Sequence, residues 1–141
     1  MSRNKELELL LKNNDLDKIE EMLTEKPQHV RRLMGYLYDP DEDLRMAAAK
    51  CFGIAARILP MEKLKDLIRR MMWMLNDESG SSCWHVPYAL GEIGYANYEA
   101  IRDFLPCLEH YTEDPDHTLS KGVKDAFERI RQSGEKLEIG K

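Results

Sequence analysis

The apolar residues of this chain recur at the three- and four-residue spacing of one helix face. The pattern is clearest in two groups, which are Leu7, Leu10 and Leu11 and, further along, Leu64, Leu67, Ile68 and Met71. Strand-like alternation is missing, and so are the Asn-Gly and Asp-Gly pairs that favour tight hairpins. The pattern therefore predicts an all-α fold.

Turn-forming residues divide this pattern into segments of helix length. The breaks include the pairs Asp39-Pro40 and Asp114-Pro115 and the Gly/Ser-rich stretch 76–82. The predicted helices span about 3–13, 15–25, 27–38, 42–58, 61–75, 83–95, 98–112 and 116–132.

The Asp-Pro turns belong to an internal repeat. Asp39-Pro40-Asp41 recurs 75 residues later as Asp114-Pro115-Asp116, and Phe52 matches Phe127 at the same offset. A middle copy places Asp77 38 residues after the first turn and 37 residues before the last. Repeats of this length that hold two helices each are typical of an α-solenoid.

Residues 33–53 resemble a HEAT repeat of the armadillo-like helical class. They contain an apolar first helix, an Asp-Pro turn, and a second helix that opens with the aliphatic-Arg pair Leu44-Arg45. Cys83 and Ser120 replace this Arg in the other two copies. The resemblance covers about residues 27–132, and it implies a protein-binding scaffold that does no chemistry of its own.

We therefore expect a single domain over 1–141, a right-handed α-solenoid of about three HEAT-like helix pairs at 27–58, 61–95 and 98–132. Residues 3–25 are interpreted as an N-terminal helical cap, because the end of a solenoid must cover apolar surface. In this cap Leu7, Leu10 and Leu11 are expected to face Leu16, Ile19 and Leu23. Residues 133–141 are expected to form a frayed tail.

The second helix of each pair carries a stripe that is apolar in all three copies, which predicts the buried seam between helices. Its members are Ala48, Phe52 and Ala55, then Val86, Leu90 and Ile93, then Val123, Phe127 and Ile130. Gly53 and Gly91 occupy equivalent positions beside this seam, and we attribute both to close approach of neighbouring helices.

A second stripe lies about 200° around the same helices and mixes aromatic with charged residues. Because the second helices line the concave surface of a HEAT-like stack, this stripe predicts the binding site for a protein partner. Aromatic residues inside a basic rim are typical of binding hot spots. In the alternative interpretation, Trp84 packs between repeats and Tyr88 only covers its own helix. The predicted binding residues are Lys50, Arg57, Trp84, Tyr88, Glu92, Tyr95, Lys121 and Arg129.

Residues 76–85 replace the tight Asp-Pro turn with a longer loop, which is either an ordinary connection or part of a site. Pro87 has no amide hydrogen and must lie in the first turn of the next helix. This predicts a helix start near residues 82–84, with Ser81 or Ser82 as the N-cap.

Two Cys–His pairs have the residue types of metal ligands. Cys83 with His85, and Cys107 with His110, could each supply two ligands, whereas a stable zinc site needs three or four. A Cys83–His85 nucleophile is disfavoured because adjacent helical residues point about 100° apart. We therefore expect no metal and no cofactor, and we assign no catalytic residue.

The charge of the chain bears on its partners. Its 26 acidic and 21 basic residues give a net charge of −5, which argues against a general binder of nucleic acid, although a local basic patch stays open. Three cysteines without paired-ligand spacing favour reduced thiols and a cytoplasmic location.

The longest purely apolar run is residues 71–75, so neither a targeting segment nor a membrane partner is expected.

The leading hypothesis is a non-enzymatic adaptor that binds a protein segment in its concave groove. One alternative is a HEAT-like nucleic-acid enzyme of the DNA glycosylase type, which would use Trp84, Tyr88 and Glu92. Another is an accessory protein similar to HEAT-like bilin lyases. Separately, Glu92 could act as a general base, but we prefer the interpretation that it is solvated or paired with Lys50 or Arg129 across adjacent helices. The oligomeric state is left open.

Overall fold

Helices make up most of residues 5–77 and 85–133, which are the residues that this computed structural model describes. These residues contain no β-strand, so the all-α prediction is confirmed. The predicted C-terminal tail lies outside them from residue 134 onward. No helix in these two ranges combines the length and the apolar character that crossing a lipid bilayer requires. The α-helices are α1 (Lys5–Lys12), α2 (Leu16–Glu25), α3 (Val30–Tyr36), α4 (Glu42–Ile58), α5 (Met61–Asp77), α6 (Val86–Ala96), α7 (Tyr98–Ile101), α8 (Leu105–Glu109) and α9 (His117–Arg131).

Most of these helices begin and end within a few residues of the predicted bounds, but the single helix predicted over 98–112 is wrong. The structure divides this stretch into α7, a 3-10 helix at Arg102–Phe104, α8, and a second 3-10 helix at His110–Glu113. Pro106 lies in the first turn of α8. Because its nitrogen carries no hydrogen, Pro106 cannot continue a helix from the residues before it.

The start of α6 also differs from the prediction. This helix begins at Val86 with His85 in the N-cap position, and His85 makes no side-chain capping bond. Pro87 lies in the first turn, as its missing amide hydrogen requires. Ser81 and Ser82, the predicted N-caps, lie outside the described residues.

The two Asp-Pro turns have the same hydrogen bonds. Asp39 Oδ1 accepts the N–H of Asp41, and Asp41 Oδ1 accepts the N–H two residues further on, each at 2.9 Å. Asp114 and Asp116 repeat both bonds at the same distance. Asp41 and Asp116 thereby cap the N-termini of α4 and α9. The repeat in the sequence is thus also a repeat of local structure.

The helices α4, α6 and α9 lie side by side, with α6 in the middle. Of the other helices, α3 packs on α4, and α5 contacts both α6 and α7. The predicted seam is confirmed, because all nine of its residues are buried. Phe52, Leu90 and Phe127 therefore occupy buried sites on three neighbouring helices.

Two helices approach each other closely at Gly91. A Cβ atom at this position would lie 3.0 Å from Cα of Ala126 and 3.2 Å from its Cβ, which is closer than side chains normally pack. A Cβ at Gly53 would meet the backbone oxygen of Glu92 at 3.5 Å, an ordinary van der Waals contact. Close helix approach therefore explains Gly91 but is not required at Gly53.

The N-terminal helices α1 and α2 both pack against α4. The buried residues of this contact include Leu7, Leu11, Ile19 and Leu23. The prediction that Leu16 joins them is wrong, because Leu16 is 43% exposed. As the first residue of α2, it stands at the edge of the helix pair, next to the groove described below.

Candidate functional site

A groove of about 650 Å³ runs across α2, α4, α6 and α9. Five of the predicted binding residues line it, namely Lys50, Arg57, Glu92, Tyr95 and Arg129. The rest of its lining consists of Leu16, Asp17, Glu20, Gly53, Ile54 and Ala96. The side-by-side packing of α4, α6 and α9 brings these side chains together, and α2 contributes the rest of the lining.

Arg129 is held in the groove by hydrogen bonds from all three of its guanidinium nitrogens. Nε and Nη2 donate to the two carboxylate oxygens of Glu92 at 3.1 and 3.2 Å, and Nη1 donates to Oε1 of Gln132 at 3.0 Å. A bidentate pair of this kind fixes the plane of the guanidinium group. The ion-pair interpretation of Glu92 is therefore confirmed.

The fixed guanidinium stacks on an aromatic ring. Its central carbon lies 3.7 Å from the ring centroid of Tyr95, a short cation–π distance. Tyr95 is nevertheless 41% exposed, so part of its ring is open to a ligand. Because the ring is already ordered, it would lose little freedom on binding. We call Glu92, Tyr95, Arg129 and Gln132 the Arg129 clamp.

The charges that line the groove are balanced. Its cations are Lys50, Arg57 and Arg129, and its carboxylates are Asp17, Glu20 and Glu92. Arg57 Nη2 lies 3.7 Å from Glu20 Oε1, which links α4 to α2. Lys50 forms no ion pair with any residue in 5–77 or 85–133. Neither sign of charge therefore dominates the groove, and Lys50 is the cation left for a ligand.

The apolar surface of the groove comes from Leu16, Ile54 and Ala96. Ile54 lies between Lys50 and Arg57 on the second stripe of α4, but this side chain is only 6% exposed and forms part of the groove wall. The residues from α2 were missed altogether, since α2 stands outside the repeat pattern. No signal in the sequence shows which edge of the cap borders the groove.

Of the other three predicted binding residues, Tyr88 and Lys121 do not line this groove. Trp84 lies outside the described residues. Tyr88 and Lys121 meet at Asp125, whose Oδ2 accepts the Tyr88 hydroxyl at 2.9 Å and the Lys121 ammonium at 2.7 Å. The bond from Lys121 lowers the pKa of Asp125, and the bond from Tyr88 adds to this effect. Burial, followed by the bond to Asp125, raises the pKa of Tyr88. This cluster links α6 to α9.

A further polar contact joins the first Asp-Pro turn to the start of α6. Arg45 Nη1 donates to the backbone oxygens of Asp39 and Pro40 at 2.6 and 3.3 Å, and its Nε donates to Nδ1 of buried His85 at 3.3 Å. Burial and then the Arg45 guanidinium lower the pKa of His85, while Glu42 acts in the opposite direction. This contact joins α4 to the start of α6 and does not line the groove.

The cysteines give no sign of a metal centre or nucleophile in the described part of the chain. Burial raises the pKa of Cys51 to about 12, which keeps its thiol protonated. Cys107 and His110 are both exposed, and Cys83 lies outside the described residues. Within 5–77 and 85–133, no three His, Cys, Asp or Glu residues gather in a way that could hold a metal ion.

The chain is similar to a protein of Archaeoglobus fulgidus (strain ATCC 49558 / DSM 4304 / JCM 9628 / NBRC 100126 / VC-16) described as an uncharacterized protein. The two are 40% identical over 73 residues, which cover 52% of this chain and 38% of the relative. This chain thus spans well under half of the relative's length. No family model matches the chain, and no solved structure matches it.

Proposed function

We propose that this protein is a non-enzymatic, HEAT-like adaptor whose groove holds a segment of a partner protein. The observation that carries the proposal is the Arg129 clamp, which presents the partly exposed ring of Tyr95 inside the groove. Binding hot spots are enriched in Tyr and Arg, and side chains ordered beforehand cost less to bind. The matching Asp-Pro turns and the packing of α4, α6 and α9 support the HEAT-like, right-handed solenoid that we propose as its architecture.

The chemistry of the groove favours a peptide over a nucleic acid. Three cations and three carboxylates cancel much of the field that a phosphate backbone would sense. The central helix α6 brings no Lys or Arg to the groove. Leu16, Ile54 and Tyr95 offer apolar surface that one or two apolar side chains of a peptide would cover.

The charge of Lys50 leads us to expect an acidic residue in the bound segment. Arg57 and Arg129 already have carboxylate partners, whereas Lys50 has none among the described residues. A segment that places an apolar side chain on Tyr95 and an acidic one near Lys50 would use both features. Because Lys50 is exposed, its charge would act mainly on the association rate.

The geometry of Glu92 supports a binding role over a catalytic one. Both of its carboxylate oxygens accept hydrogen bonds from Arg129, so the carboxylate is already engaged in a bidentate ion pair. Glu92 thus serves to orient Arg129, which in turn supports the ring of Tyr95.

Selection from random peptides tests the proposal for any partner that presents a linear segment. A phage-displayed library is panned on the wild-type protein, and the enriched peptides are then titrated against Tyr95→Ala and Tyr38→Ala. Tyr38 is a matched control because it is 39% exposed, close to Tyr95 in this respect, but lies outside the groove lining. We expect a shared motif with apolar and acidic residues, bound about tenfold or more weakly by Tyr95→Ala and normally by Tyr38→Ala. Absence of any motif, or equal losses in both variants, would contradict the proposal.

A further inference from the structure

A second cleft, lined by residues of α3 and α5, carries cations that pair with no described residue. It has a volume of about 520 Å³ and lies between the start of α3 and one face of α5. Its cations are Arg31, Lys63 and Arg70, all exposed, and none forms an ion pair with another described residue. We call this cleft, defined by these three residues, the basic cleft.

The carboxylate inside the basic cleft does not neutralise these cations. Asp66 accepts a hydrogen bond from Arg69 instead, and Arg69 is not part of the cleft lining. The cleft therefore keeps three positive charges without a described partner, on a chain whose net charge is −5. Like charges around one cleft repel each other, so an anion from outside the chain would be stabilised there.

We propose that the basic cleft binds a diphosphate group, either as pyrophosphate or as part of a nucleotide. A carboxylate has two acceptor oxygens, which a single Arg can satisfy, whereas a diphosphate offers oxygens to two Arg forks and a Lys together. The lining supports the same ligand class. Val30, Leu59 and Leu67 supply apolar surface beside the charges, and the volume lies in the range of small-molecule sites.

The basic cleft shares no lining residue with the groove of the Arg129 clamp. Binding of a diphosphate would therefore neither require nor exclude a peptide in the groove. Failure of one proposal leaves the other to be judged on its own measurements.

Calorimetric titration of the full chain at low salt, with pyrophosphate, ADP and citrate, tests this proposal. Citrate is the control for multiple carboxylates without phosphorus. We expect pyrophosphate to bind and citrate to bind at least about tenfold more weakly, given the value of charge-assisted bonds to phosphate. Binding of ADP as well would identify a nucleotide as the source of the diphosphate, and binding of pyrophosphate alone would identify the inorganic ion.

Charge reversal shows whether the cleft itself is responsible. Arg31→Glu and Arg70→Glu should each weaken pyrophosphate binding by about tenfold or more. Lys124→Glu is the matched control, because Lys124 is an exposed cation of α9 outside the cleft and changes the net charge equally. It should alter the affinity by less than about twofold. Equal loss in Lys124→Glu, equal binding of citrate, or no binding of either phosphate compound would overturn the proposal. Melting temperatures check that each variant is folded.

Discussion

Glu92 and Arg129 are 37 residues apart, one repeat length, and they bond to each other through both carboxylate oxygens. Tyr88 and Asp125 have the same separation and are also hydrogen-bonded. Equivalent positions of α6 and α9 thus face each other across the helix interface. The Arg129 clamp therefore depends on the packing of α6 against α9, which brings its members into contact.

Substitutions of Glu92 and Arg129 should have effects on the free energy of unfolding that do not add up in the double variant. Glu92→Gln and Arg129→Gln each remove the charged pair, so the double variant should lose less than the two single variants together. We expect a coupling energy of about 1 kcal/mol, because both side chains are partly exposed. Urea unfolding at low and high salt measures it, and the coupling should shrink as salt screens the pair. Strictly additive losses would show that the pair contributes nothing to folding.

Two glycines in equivalent helix positions should respond differently to alanine. Gly91→Ala should lower the free energy of unfolding by about 1–3 kcal/mol, because its new Cβ would lie 3.0 Å from the backbone of Ala126. Gly53→Ala is the control, with its nearest contact at 3.5 Å. It should leave the free energy unchanged or raise it by up to about 1 kcal/mol through better helix propensity. Equal effects in chemical unfolding would mean that α6 and α9 are not packed as closely as described.

His85 should make the fold sensitive to acid. Its pKa in the folded protein is lowered, first by burial and then by Arg45, so the unfolded chain binds a proton more readily. The contribution of neutral His85 is therefore complete above the ordinary His pKa of 6.5 and is lost as the pH falls through the folded-state value. The difference in unfolding free energy between wild type and His85→Gln should shrink as the pH drops below about 6.5. A difference that stays constant down to about pH 5 would refute this assignment.

The sequence predicted the buried seam correctly because spacing alone decides which helix face is apolar. Leu90, for example, is assigned to the buried face by its spacing within its own helix, whichever helices pack against it. The position of Leu16 could not be read in this way, since its exposure depends on a groove formed with α4 and α6, far along the chain. The bond between Tyr88 and Asp125 could have been predicted from the sequence, because these residues are 37 positions apart, as are Glu92 and Arg129. Pro106 is the residue that signals a break in the helix predicted over 98–112. The helical spacing of the apolar residues there nevertheless favoured one continuous helix.

Photo-crosslinking from inside the groove tests the central claim most directly. Tyr95 is replaced by the photoreactive amino acid benzoylphenylalanine, the variant is produced in cells of the source organism, and crosslinked peptides are identified by mass spectrometry after irradiation. Tyr38, with similar exposure outside the groove, receives the same replacement as a control. We predict adducts from position 95 to one continuous segment of a partner protein, and none of that segment from position 38. No adduct from position 95, or the same adducts from both positions, would contradict the account.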